Sequence, residues 1–327
     1  MNESELCKQI KNSRKIKEAS CNTYLSALKK IKKGMGYSND LELKDTKFLQ
    51  DFEKVMKVIH NENKITSKKN KLTAILVALG SDNPKNDKLI DKYGNELKSL
   101  NEKYMSFLKT QKKTETQKKN WITYNQLIKI INKIMKQVEE RDILKKDKLT
   151  SREFDLLQQY VILRTYIEFP LRNDFANMPV ITLRQFKKLS KDKKTDKNYL
   201  VMNGKNKKEF HINQFKNSKY IGSKILKVSN ALSKLINLWL KHNKSGYYLV
   251  KLDQISAMSP NIITKYLNKI FIKHAGKKIS TSMIRHIVIS HMLKNDKTIK
   301  QKEKENKEIE NKFLHSNNIN QLYRKID

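Results

Sequence analysis

The stretch Tyr199-Leu200-Val201-Met202-Asn203-Gly204-Lys205-Asn206-Lys207-Lys208-Glu209-Phe210-His211-Ile212-Asn213-Gln214-Phe215 decides the fold class, because it interrupts a chain that otherwise reads as helix. Tyr199 to Met202 and Phe210 to Phe215 are short apolar or alternating runs, the pattern of half-buried strands, and Gly204 among lysines separates them as a turn. A third run, Lys224 to Val228, follows the polar segment Asn217 to Gly222. The expectation is a mainly α chain with a small antiparallel β-sheet, an α+β fold.

On either side of this stretch the apolar residues recur at helical spacing. Tyr24, Leu28 and Ile31 share a face; so do Phe48, Phe52, Val55 and Ile59, and then Leu72, Ile75, Leu76 and Leu79. Gly34, Gly36 and Gly80 stand as stop signals. After Pro84 a longer pattern runs through Ile90, Tyr93, Leu97, Leu100, Tyr104 and Phe107. Residues 109–120 contain no apolar side chain, cannot be pinned by core packing, and read as a basic linker, either a solvated tether or a strand laid along a polyanion. The predicted organisation is a helical domain at 1–108, a linker at 109–120 and a second domain at 121–327, which suits a length of 327 residues. In the second domain helices are predicted near Tyr124–Val138, Ser151–Ile167, Asn230–Lys241, Asn261–His274 and Ser282–Leu293. The Lys- and Glu-dense run Lys294 to Asn311 reads as a solvated helix or loop carrying the tail.

Seventy Lys and Arg face 33 Asp and Glu, a formal net charge of +37. Such an excess favours a polyanionic partner through counterion release, with nucleic acid foremost, although an AT-rich coding sequence also fills solvated faces with Lys and Asn. No apolar run is long enough to span a bilayer. Cys7 and Cys21 lack metal-ligand spacing, and without a signal peptide they read as free thiols of an intracellular protein. Scattered histidines, no paired carboxylates and no Gly-rich phosphate loop argue for neither metal nor nucleotide cofactor.

Five residues carry chemistry in a definite order: Arg172 in Phe169-Pro170-Leu171-Arg172-Asn173-Asp174, Lys216 in Phe215-Lys216-Asn217-Ser218-Lys219, Arg285 in Ser282-Met283-Ile284-Arg285-His286, then His315 and Tyr323. Guanidinium forks donate paired hydrogen bonds to the non-bridging oxygens of a phosphodiester under attack. A phenol is a nucleophile once a positive environment or a base assists it, since phenols ordinarily titrate at about 10.

From about Trp121 onward these motifs resemble the catalytic domain of tyrosine recombinases, the phage-integrase superfamily, in wording most like the integrases of large DNA viruses and virophages. The resemblance implies cleavage and rejoining of double-stranded DNA through a 3′-phosphotyrosyl intermediate, with no metal and no ATP. It implies Arg172 and Arg285 as transition-state donors, Lys216 as the acid for the leaving 5′ oxygen with Lys219 as its rival, His315 as a phosphate hydrogen-bond donor and Tyr323 as nucleophile. Lys205, Lys207 and Lys208 are then DNA backbone contacts, and residues 1–108 are similar in position and type to the family's core-binding domain. Two departures stand out. His315 lies eight residues before Tyr323, one fewer than is common, and Ser282 occupies the position where the family has His or Lys. Serine is a poor proton acceptor, so the base for Tyr323 is left unnamed; His286, about 100° around the helix from Arg285, reads as a packed or solvated histidine. Asp174, one position early for the family's acidic residue, is read as orienting an arginine.

Four residues follow Tyr323, from which a monomer in free solution and a tetrameric synapse on DNA are expected. Two other readings stay open: a type IB topoisomerase, which relaxes DNA as a monomer, and a DNA-binding protein without catalysis.

Overall fold

The computed structural model describes residues 5–14, 16, 18–37, 42–204, 206–293 and 322–325. The chain divides into two compact units, Met1–Thr110 and Gln111–Asp327.

The first unit holds α1 (Glu5–Ser13), α2 (Glu18–Gly34), a 3₁₀ turn at Lys47–Gln50, α3 (Phe52–His60), α4 (Ile65–Leu79) and α5 (Asp87–Lys109). Helices α3 and α5 begin where side chains receive the orphan amides of a first turn: Asp51 accepts from Lys54 N and Asn86 from Leu89 N. Leu72, Ala74, Ile75, Ala78 and Leu79 of α4 are buried, and α2 and α5 pack on them. A Cβ at Gly34 would meet Val58 Cγ1 at 2.6 Å, so this glycine lets α2 approach α3 as well as ending its helix. Cys7 and Cys21, expected as free thiols, are joined in a disulfide. Both lie on the buried faces of neighbouring helices, α1 and α2, which brings their Cα atoms to 6.2 Å.

The second unit runs α6 (Glu115–Asn120), α7 (Tyr124–Glu140), α8 (Ser151–Glu168), β1 (Val180–Thr182), α9 (Leu183–Lys188), α10 (Lys191–Thr195), β2 (Tyr199–Met202), β3 (Lys208–Ile212), α11 (Ser218–Ile221), β4 (Lys224–Lys227), α12 (Asn230–His242), α13 (Pro260–Ala275) and α14 (Thr281–Met292). Segment 109–120, read as a linker, contains α6 because Thr114 and Gln117 close a capping box. Asn120 Oδ1 accepts from Lys278 N, and Lys119 O from Lys277 Nζ, so polar contacts fix what apolar ones cannot. The same capping box opens α7, α8 and α9 at Thr123, Thr150 and Thr182.

The chain is α+β, with a four-stranded sheet of order β1-β2-β3-β4. The predicted strands pair antiparallel, but β1, which has no counterpart in the sequence reading, adds in parallel to β2, so the sheet is mixed. Three residues are too few for a periodicity to register. Leu200, Phe210 and Leu226 sit opposite one another across three strands and turn into the core. Helix α8 is buried nearly all round and packs against α7, α12 and α14, making it the axis of the unit. Among the described residues no helix is long and apolar enough to cross a membrane.

Candidate active site

Helix α8 ends at Glu168 because Pro170 follows, and the buried side chains Phe169 and Leu171 anchor the bend that delivers Arg172. Three contacts hold this bend. Tyr166 Oη donates to Arg172 O at 2.8 Å, Arg172 N donates to Asp174 Oδ2 at 3.0 Å, and Pro170 O accepts from Arg285 Nε at 2.7 Å. The last bond ties α14 to the bend and brings the two arginines, far apart in sequence, to one place.

Tyr323 meets them. Arg172 Nη2 donates to Tyr323 Oη at 2.9 Å, and Arg285 Cζ lies 5.3 Å from the centroid of the same ring. Arg285 is only 1% exposed. Burial pulls its guanidinium below the usual range, while the Tyr323 hydroxyl opposes that shift; a guanidinium nonetheless stays cationic in proteins. Burial pushes the Asp174 carboxyl above the usual carboxylate range, with Arg285 and the Arg172 amide pulling the other way. Asp174, read as orienting an arginine, accepts from the backbone amide of Arg172.

The remaining sequence-predicted residues divide. Ser282 is exposed in the first turn of α14, whose cap is Ser280. Lys216 is exposed in the turn after β3 and makes no hydrogen bond among the described residues; Lys219 is exposed on α11. His315, Lys205 and the segment 294–311 lie outside the described residues. Lys208, read as a DNA backbone contact, is 1% exposed and donates from Nζ to Ser233 Oγ at 3.1 Å. Strand alternation explains the correction, since residues 208, 210 and 212 all face inward from β3. Burial lowers its ammonium below the usual lysine range.

His286 is packed, and its partner is the tail. Its Nδ1 lies 2.7 Å from Tyr323 O, and the two rings are 4.9 Å apart between centroids. Two residues further, Lys325 N donates to Ser290 Oγ at 2.8 Å, and the Lys325 side chain is buried. Burial drives the His286 ring down to about 4, so it is neutral near pH 7. A 100° offset from Arg285 separates two neighbours on a helix, but a tail passing over that helix is touched by both. The sequence held no signal for this contact, because it depends on the path of residues 322–325.

No family model matches this chain, and no curated protein matches it. Among solved structures it is similar to one titled "Crystal structure of XerA recombinase", at 10% identity and a TM-score of 0.39, over 99% of this chain and 94% of that one. So loose an overlap carries no functional weight, which rests instead on the side chains around Tyr323.

Proposed function

We propose that the chain is a site-specific DNA recombinase of the integrase type, a tyrosine recombinase, cleaving and rejoining duplex DNA through a 3′-phosphotyrosyl ester. The observation that carries this reading is the phenol of Tyr323, hydrogen-bonded by Arg172 at 2.9 Å and faced by the buried Arg285 guanidinium, in a chain of net charge +37. A buried Arg285 and a half-buried Arg172 with one nearby carboxyl favour an anion as their ligand, and a phosphodiester adjoining the phenol meets both forks.

In this mechanism Tyr323 Oη attacks phosphorus, the 5′ oxygen departs, and Lys216 gives it a proton. His315 and Ser282 add hydrogen bonds to the phosphate. The proton lost by the phenol balances the one gained by the 5′ hydroxyl, and the ester conserves the bond energy, so the cycle needs neither metal nor ATP. Reverse attack by a 5′ hydroxyl from a second duplex completes strand exchange. Residues 1–108 act as the core-binding half of a DNA clamp, residues 121–327 as the catalytic half, and four protomers form the synapse on DNA. A DNA-associated, intracellular role and a viral origin complete the proposal.

The test is a nicked suicide duplex incubated with the protein in excess chelator. A covalent protein–DNA complex that resists denaturant and disappears on protease treatment is the expected result. No complex with any duplex, alongside intact salt-dependent binding, would reduce the chain to a DNA-binding protein. Relaxation of supercoils by a strict monomer would favour a topoisomerase. A 5′-bridging phosphorothioate should rescue Lys216→Ala, because a thiolate leaves without an acid; rescue of Lys219→Ala instead would move the acid along the turn.

A further inference from the structure

We propose that His286 and Ser290 are positioning residues that grip the backbone on the C-terminal side of the nucleophile and thereby deliver Tyr323 to the two arginines of its own subunit. The inference deepens the recombinase reading and rests on it for its catalytic consequence, though the grip itself can be tested without DNA.

The two side chains lie one turn apart on α14, and i and i+4 positions share a helix face. They meet two successive peptide groups of the tail: His286 Nδ1 meets the carbonyl of Tyr323 at 2.7 Å, and Ser290 Oγ receives the N–H of Lys325 at 2.8 Å. A carbonyl can only accept, so the proton of the neutral imidazole sits on Nδ1. Both bonds address main-chain atoms, which registers the tail along α14 whatever its side chains. The His286 ring also packs 4.9 Å from the Tyr323 ring, and Lys325 is buried beside it. Arg285, the residue before His286, is thereby fixed relative to the tail through one turn of a single helix. Arg172 then meets the hydroxyl from the other side.

Neutral His286 is the form the grip requires. Protonation would put a third cation among Arg285 on its own helix and Lys325 on the tail, in a site where burial already holds the ring at about 4 against an ordinary 6.5. A ring released with the tail regains water and titrates nearer 6.5. Docking is therefore fully favourable above about pH 6.5 and weakens as the pH falls toward 4.

The experiment uses the full chain in three variants. His286→Asn keeps an N–H near the Nδ1 position, His286→Leu fills the space without a donor, and Ser290→Ala removes the acceptor. Hydrogen exchange at the Lys325 amide, corrected for its intrinsic rate, reads the grip in the absence of DNA. Wild type and His286→Asn should be protected alike, while His286→Leu and Ser290→Ala should exchange on the order of tenfold faster, the worth of one hydrogen bond. Wild-type protection should decline between pH 6.5 and 4, and His286→Asn should lack that decline. On a suicide duplex, His286→Leu should form the covalent complex at least about tenfold more slowly at unchanged DNA affinity, with His286→Asn restored. Equal protection in all four proteins would overturn the proposal. Altered protection with no covalent complex even from wild type would leave the grip standing and defeat the recombinase reading.

Discussion

The two units of the chain bury polar groups to different ends. In Met1–Thr110 the polar side chains fall into separate small groups that serve packing. Tyr93 Oη donates to Leu49 O at 2.8 Å, and Lys71 pairs with Glu62 at 2.6 Å. Lys32, Lys69 and Lys92 rest over the rings of Tyr37 and Phe48, Tyr104, and Phe52. These contacts spread over the surface of the core and lead nowhere in common. In Gln111–Asp327, Tyr166, Arg172, Asp174, Arg285, His286 and Ser290 form a connected set that ends on residues 323 and 325. A basic chain offers cations everywhere; convergence on one phenol, rather than charge, distinguishes a site from a surface.

The largest effect should come from the smallest change. Tyr323→Phe is expected to abolish the covalent DNA complex while leaving DNA affinity within about twofold, since the hydroxyl adds little to phosphate binding. Gel analysis under denaturing conditions and a binding isotherm at fixed salt check the two halves. A persisting complex would move the nucleophile. Tyr248 is an implausible replacement, being buried and bonded to Thr165, whereas Tyr220 is 91% exposed.

Arg172→Ala should slow formation of the complex by about a hundredfold or more, the loss of one transition-state donor, with binding much less affected. Mixing Arg172→Ala and Tyr323→Phe protomers sharpens the point. If each tyrosine serves its own subunit, no mixed pair of defective protomers regains activity; recovered cleavage would mean that tails exchange between subunits. If Arg172→Ala weakened binding as much as cleavage, Arg172 would be an ordinary phosphate contact.

A change in the other unit should be purely structural. Tyr93→Phe removes the bond to Leu49 O and should cost about 1 kcal/mol of stability in denaturant unfolding, with the rate of covalent complex formation unchanged. A comparable loss of cleavage would break the division between the units drawn above.

The mildest prediction concerns acid. Glu153 accepts from Lys146 Nζ and from the Thr150 cap, and these bonds hold its carboxyl down to about 2 from an ordinary 4.5. A carboxyl depressed on folding stabilises the fold above the unfolded value and loses that contribution as the pH falls through the folded one. Thermal melting should therefore drop between pH 4.5 and 2 with a slope that Glu153→Gln flattens. An unaltered slope would assign the acid sensitivity to other carboxylates.

The sequence by itself determined the helices with long apolar stripes, such as α5, α7, α12 and α13, because burial on one face imprints a 3.6-residue period that needs no knowledge of the partner. It also determined the interruption at residues 199–228 and the nomination of Arg172, Arg285 and Tyr323, whose chemistry is recognisable by type and order. The capping boxes at Thr114, Thr123, Thr150 and Thr182 were written there too, as Thr followed three residues later by Gln or Glu. Tertiary structure alone decided the rest. Strand β1 exists because β2 offers it an edge. Lys208 is buried because of its parity on β3, and Cys7 meets Cys21 because two helices turn the same faces inward. His286 gained its role because Pro170 fixes Arg285, and residues 322–325 then cross α14 within reach of both. Periodicity records which face of an element is covered. It carries no record of which distant segment covers it, and contacts between residues 286 and 323 are of that second kind.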